Sequence, residues 1–331
     1  MSVPPRSGFK LNVIVINPRW LLAGALLLLA TGCGVSQPDV AASPAVGKSL
    51  DAQGTLQPGG WRIFRGLLSP DGRQVAFWGI DPNANPAVGI AQQGKPVAVT
   101  PPSLRASDFA WMPDSASLLV SYHVGTHDEF TVLRLDGTKV RDILPQTGLR
   151  NDFENGIAIR PDGKVALVAA MPPGAGARAA RLVELDLASG KTSNVTPTSD
   201  LSEDFPSYVD ENHVVYVSGM LNSPDYAPQL KLLDLDTGQT RTLSDTRQFV
   251  RSASVAHTPS RAIYDAFASG GGGPLSLWSV SLDGKAPVHL AGEGYTWPFV
   301  DQSGTWVLVT EVGTPGRRGG LRLLAVKPHS K

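Results

Sequence analysis

The clearest pattern in the chain is a turn followed by a strand that is apolar on both faces. In Leu68–Trp78, LSPDGRQVAFW, Pro70 presets φ for the first corner, Asp71 can bond back to its neighbours and Gly72 accepts positive φ. The strand after it is apolar without alternation from Val75 onward, so both of its faces must be covered. Copies recur as FAWMPDSASLLVSY at Phe109–Tyr122 and IAIRPDGKVALVAAM at Ile157–Met171. Weaker copies are FPSYVDENHVVYVSG from Phe205, SVAHTPSRAIYDAF from Ser254 and WPFVDQSGTWVLVTEV from Trp297.

Marked at Pro70, Pro113, Pro161, Asp210, Pro259 and Ser303, the copies are spaced by 43, 48, 49, 49 and 44 residues. Each is followed by a variable loop and a more alternating strand, such as Phe130–Asp136, Arg181–Leu187, Leu230–Asp236, Leu277–Leu282 or Leu321–Val326. Asp136-Gly137, Ser189-Gly190, Thr237-Gly238 and Asp283-Gly284 then form tight turns into a short fourth strand. Four antiparallel strands at this period predict the blades of a radial β-propeller, here six-bladed and all-β. The sixth unit lacks room for a fourth strand after Val326, and Gln53–Pro58 resembles the endings of other units. An N-terminal strand is therefore expected to complete the last blade and remove a free sheet edge.

SPDGRQVAFW, RPDGKVALVA and LLDLDTGQTRTLS resemble the repeats of the TolB-type six-bladed propeller (WD40-like, PD40), seen also in prolyl-oligopeptidase-like peptidases. The resemblance covers about Gln53–Lys331 and implies fold far more than activity. TolB carries an α/β domain ahead of its propeller, for which residues 34–52 are too short, and TolB is not lipid-anchored. The peptidases add a hydrolase domain that is not found after the sixth repeat.

The N-terminus changes the picture. Basic residues precede an apolar run, Leu21–Ala30, of the length of a signal-peptide core, and Ala30-Thr31-Gly32-Cys33 resembles the bacterial lipobox. Residues 1–32 are expected to be a lipoprotein signal peptide, Cys33 the lipidated residue, 33–52 a flexible tether and 53–331 the propeller. Gly34 after the cysteine favours, by resemblance to enterobacterial sorting, the outer membrane with the domain in the periplasm.

Charge is balanced overall, but the segment after residue 32 holds 26 basic and 29 acidic residues. Nucleic acid is an unsuitable partner, because phosphate binding needs clustered positive charge. With one cysteine there is no intrachain disulfide and no multi-cysteine zinc site.

Strand direction puts the loops joining strands two and three, and those between blades, on one face. The tight turns occupy the other. The long-loop face is the expected binding face. On it, Asp108, Asp128, Glu129, Asp152, Glu154, Glu203 and Asp204 belong to blades two to four, and Arg62, Arg65, Arg247, Arg251, Arg317 and Arg318 to blades five, six and one. A dipolar face follows, the alternative being ordinary solvated loop charges. His123 and His127 beside Asp128 and Glu129 read as a solvated loop, and Gly270–Pro274 as a flexible one. The aromatics at blade entrances, Phe205 and Trp297 among them, read as inter-blade packing, with Trp61, Tyr295 and Trp297 as a clasp between the first and last blades.

No G-x-S-x-G, H-E-x-x-H or phosphate-cradling glycine loop occurs. The expected function is therefore a non-enzymatic envelope protein, with no cofactor, monomeric, its propeller binding another envelope protein and the membrane reached through the lipid alone. The alternatives are a metal-dependent hydrolase or lactonase, with Asp152, Glu154, Glu203 and Asp204 converging on the axis, and a glycan- or peptidoglycan-binding module.

Overall fold

The structure is a computed structural model. It describes residues 50, 55–56, 59–151, 156–171, 180–196, 201–220, 227–257, 260–269, 272–312 and 320–326. The expected signal peptide and nearly all of the tether, Cys33 included, lie outside the described residues.

Six four-stranded antiparallel sheets make up the described chain. Blade one consists of Arg62–Leu68, Val75–Ile80, Pro86–Gln92 and Lys95–Ala98, and blades two to five repeat the order from the axis outwards. Blade six is built from Tyr295–Val300, Trp306–Glu311 and Leu321–Ala325, and its outer strand is Thr55–Leu56. Thr55 pairs with Arg322 and Leu56 with Leu321, so the ring is joined by strands from opposite ends of the domain.

The second strands are buried on both faces, as their composition requires: every residue of Val165–Ala170 is buried, and only the last of Val75–Ile80 is not. The core is accordingly a set of seams between neighbouring sheets. One seam packs Trp61, Ile63 and Phe77 of the first blade against Leu56, Leu308, Leu321 and Leu323 of the sixth, with Leu50 in the same cluster. Trp61 meets Phe77 edge-on at 5.1 Å there. It is the member of the expected clasp that lies in this seam, since Tyr295 packs with the fifth-to-sixth blade cluster and Trp297 faces the axis.

Turn chemistry explains why decayed copies still fold. In blade one the Gly72 amide donates to Ser69 O (2.8 Å), and the Asp71 carboxylate accepts the Arg73 amide (3.0 Å). In blade six the Gly304 amide donates to Asp301 O (2.9 Å), and the Asp301 carboxylate accepts the Trp306 amide, with no proline present. The strand pairing puts His257 and Gln302 where Pro70 stands in blade one, rather than Pro259 and Ser303, so the spacing of the last units differs slightly from the sequence reading.

In two of the expected long loops, strand pairing runs further than expected; of the second, residues 270 and 271 lie outside the described residues. Pairing in blade two continues to Val124 opposite His127, and in blade five to Ser269 opposite Gly272, because strands of eight to ten residues run to the tip.

Candidate functional site

Each blade offers its innermost strand to the axis. A bulge interrupts that strand in five blades, between Ile63/Arg65, Ala106/Asp108, Asp204/Ser207, Val250/Ser252 and Thr296/Phe299. A bulge re-aims side chains by inserting one residue opposite none. At this level two contacts link blades around the axis.

On one side is an ion pair. The Arg65 guanidinium of blade one donates to the Asp108 carboxylate of blade two, whose other oxygen accepts the Gly156 amide of blade three at 3.0 Å. The Phe109 amide also donates to Asp108, at 2.7 Å. Burial pushes the Asp108 carboxyl up, and Arg65 and these amides oppose that rise. On the other side is an aromatic pair. Phe205 of blade four and Trp297 of blade six meet edge to face with centroids 5.3 Å apart, past the intervening blade five. Both have positive φ, 53° and 56°, and both precede a proline. Gly156 makes room for the first, since a Cβ there would lie 3.0 Å from Phe205 Cα.

This level closes one end of an axial cavity of about 560 Å³, within the range of small-ligand sites. Its floor includes Arg65, Gly156, Phe205, Ser252 and Trp297. Every blade contributes to its wall, through Leu67, Trp111, Ile159, Tyr208, Val255 and Phe299, and the mouth carries Pro70, Pro113, Pro161, His257 and Gln302. The mouth residues sit at the first hairpin turns. The cavity therefore opens on the short-turn face and not on the expected long-loop face: loop length reports variability, whereas a funnel forms wherever six inner strands diverge.

The acids expected on the long-loop face are mostly internal. Asp108, Asp128 and Glu203 are 2%, 0% and 4% exposed. Asp128 pairs with His123 and accepts the Asn151 amide, which makes the supposed solvated loop a built structure. Glu203 accepts the Thr196 hydroxyl, and burial raises its carboxyl. Glu129 accepts the Tyr122 hydroxyl at 3.1 Å; burial first, then Glu129, pushes that phenol up to about 12. Asp204 takes the Ser202 hydroxyl at 3.0 Å on one oxygen, its other oxygen has no partner, and burial pushes it up to about 7. Buried carboxylates persist only where donors reach them, and here the donors come largely from across a strand or a blade seam.

Among the arginines, Arg65 is bound to Asp108 and Arg247 to Asp245 at 3.0 Å on the surface. The Arg62 guanidinium lies over Phe64 (4.9 Å to the ring centre) and that of Arg251 over Trp297 (5.5 Å). Asp152, Glu154, Arg317 and Arg318 lie outside the described residues. Among the described residues, no three His, Cys, Asp or Glu side chains gather as a metal-ligand group. Phe205 and Trp297, which the sequence predicts as inter-blade packing, line the cavity; the aromatic-proline pair at the same place in two repeats is the sequence signal that marks them.

No protein-family model matches this sequence, and no curated protein does. Solved structures do. TolB from Acinetobacter baumannii has a TM-score of 0.57 at 16% identity, covering 81% of this chain, which spans 62% of that one. A putative TolB from Agrobacterium tumefaciens has a TM-score of 0.55 at 15% identity, over 80% of this chain and 90% of that one. A gluconolactonase from Xanthomonas campestris has a TM-score of 0.58 at 10% identity, over 82% and 89%. The likeness is one of fold. A propeller shared by TolB and a lactonase does not choose between binding and catalysis.

Proposed function

We propose that this chain is a lipid-anchored protein of the bacterial envelope, attached through Cys33 to the outer membrane, whose periplasmic propeller binds a protein partner without catalysing a reaction. The axial cavity carries this reading. It is preformed and its wall is apolar and aromatic; the carboxylate in its lining, Asp301, accepts the Ser303 hydroxyl on one oxygen and the Trp306 amide on the other, and Asp108 and Asp265, which bond residues of its floor, have each of their oxygens engaged by hydrogen-bond donors. Such groups hold blades together and leave little freedom for proton transfer or ion binding. Arg62 and Arg251 extend the proposed surface to the long-loop face.

A photo-crosslinking residue at Gln302, on the cavity mouth, and another at Arg62 test the reading in cells. A discrete protein adduct at Gln302 that disappears when Phe299→Arg fills the cavity supports it. Absence of adducts from both positions, with lactone hydrolysis by the purified chain, overturns it in favour of an enzyme. Cys33→Ala is expected to move the protein from the membrane to the soluble periplasmic fraction.

A further inference from the structure

Phe205 and Trp297 hold an unusual conformation in corresponding places. A bulky residue at positive φ is disfavoured, and a following proline steers its predecessor toward the extended region, so both backbones are held against their preference. Strain of this kind persists only where the surroundings enforce it.

The enforcing group at Trp297 is Asp265, which is fully buried. One carboxylate oxygen accepts the Ser252 amide and hydroxyl, at 2.8 and 2.6 Å, within its own blade. The other reaches into blade six, accepting the Thr296 hydroxyl at 2.6 Å and the Trp297 amide at 3.3 Å. Asp265 thus pins the bulge that points the indole at Phe205, and the ring pair forms part of the cavity floor. Over the indole ring, 5.5 Å from its centre, lies the Arg251 guanidinium, which is not among the cavity-lining residues.

We infer that Phe205 and Trp297 form a gate across the propeller axis, latched by Asp265, and that relaxation of the Trp297 bulge swings the indole away and joins the cavity to the long-loop face. The inference goes beyond partner binding, because it couples the two faces whatever occupies them: a group that draws Arg251 off the indole frees the gate from one side, and a cavity ligand loads it from the other.

The test uses the full chain labelled with 5-fluorotryptophan, the Trp297 fluorine resonance being assigned by Trp297→Phe. Fluorine relaxation dispersion is expected to show Trp297 exchanging on the microsecond-to-millisecond scale with a minor state whose shift approaches that of free fluorotryptophan. Trp61 and Trp78, which sit in blade seams and not in the cavity lining, should remain sharp. Thr296→Val, which removes one latch bond and keeps shape, should raise the minor population at least threefold, and Asp265→Asn should raise it further. A single static Trp297 resonance in the unaltered protein overturns the gate. Exchange that neither substitution changes overturns Asp265 as its latch.

Discussion

Asp108 is gripped from both sides: the Arg65 guanidinium reaches it from the preceding blade, and the Gly156 amide from the following one. One carboxylate therefore fastens three inner strands. Removing one partner of a buried pair leaves the other charge without compensation, which costs about 3–5 kcal/mol. Asp108→Asn is expected to lower unfolding stability by roughly 3 kcal/mol in urea titration. Asp108→Asn combined with Arg65→Gln should lose less than the sum of the single changes, since the pair acts as a unit. Additive losses would show that the pair contributes little.

Asp204 predicts an unusual pH dependence. Its carboxyl titrates at about 7 in the folded chain, above its ordinary 3.8, so the folded form holds the proton more tightly than the unfolded form. The contribution of this group to stability is full below about pH 4 and is lost as pH rises toward 7. Thermal melting across that window should therefore show a falling contribution in the native chain that Asp204→Asn flattens. Identical pH profiles for the two would remove Asp204 from the account.

Ring closure should be sensitive to very little chain. Leu56 is fully buried in the seam between blades one and six, and its strand makes two residue pairs with the last strand of the domain. Leu56→Ala is expected to cost about 2–5 kcal/mol. A chain beginning at Trp61 should melt well below the native one, and an unchanged melting temperature would mean that the blade holds without this strand.

Two glycines should differ in a predictable order. A Cβ at Gly190, which has φ 70°, would lie 2.2 Å from the Leu144 carbonyl oxygen, whereas one at Gly66 would meet the ends of Leu321 and Leu308 side chains at 2.5 and 2.9 Å. Leucine ends can rotate and a backbone carbonyl cannot move so cheaply. Gly190→Ala is therefore expected to lower the melting temperature more than Gly66→Ala, and the reverse order would show that the turn shifts freely.

The architecture was legible because it is written in repeated local chemistry. Pro70-Asp71-Gly72, the runs after it and the glycine turns at 137, 190, 238 and 284 each specify a conformation that a short window reveals, and all four glycines have positive φ. The axial site was less legible. Whether Asp108 faces water or a neighbouring blade depends on a bulge two residues earlier and on an arginine 43 residues away. His123 and Asp128 looked like loop residues because nothing in GTHDE announces that both flanking strands pair to the tip. The cavity's side was missed because loop length and concavity are independent properties of a propeller.

The Thr310 hydroxyl donates to the Phe64 carbonyl across 246 residues, at the same junction that Leu56 completes. Contacts so distant in sequence carry the largest loop-closure cost and form late. During synthesis the segment that ends blade six is made first and finds its partner only when the last strand emerges. Until then the first and sixth sheets each expose an apolar flank, which makes the unclosed ring the species most prone to aggregate and gives a chaperone its natural moment to act.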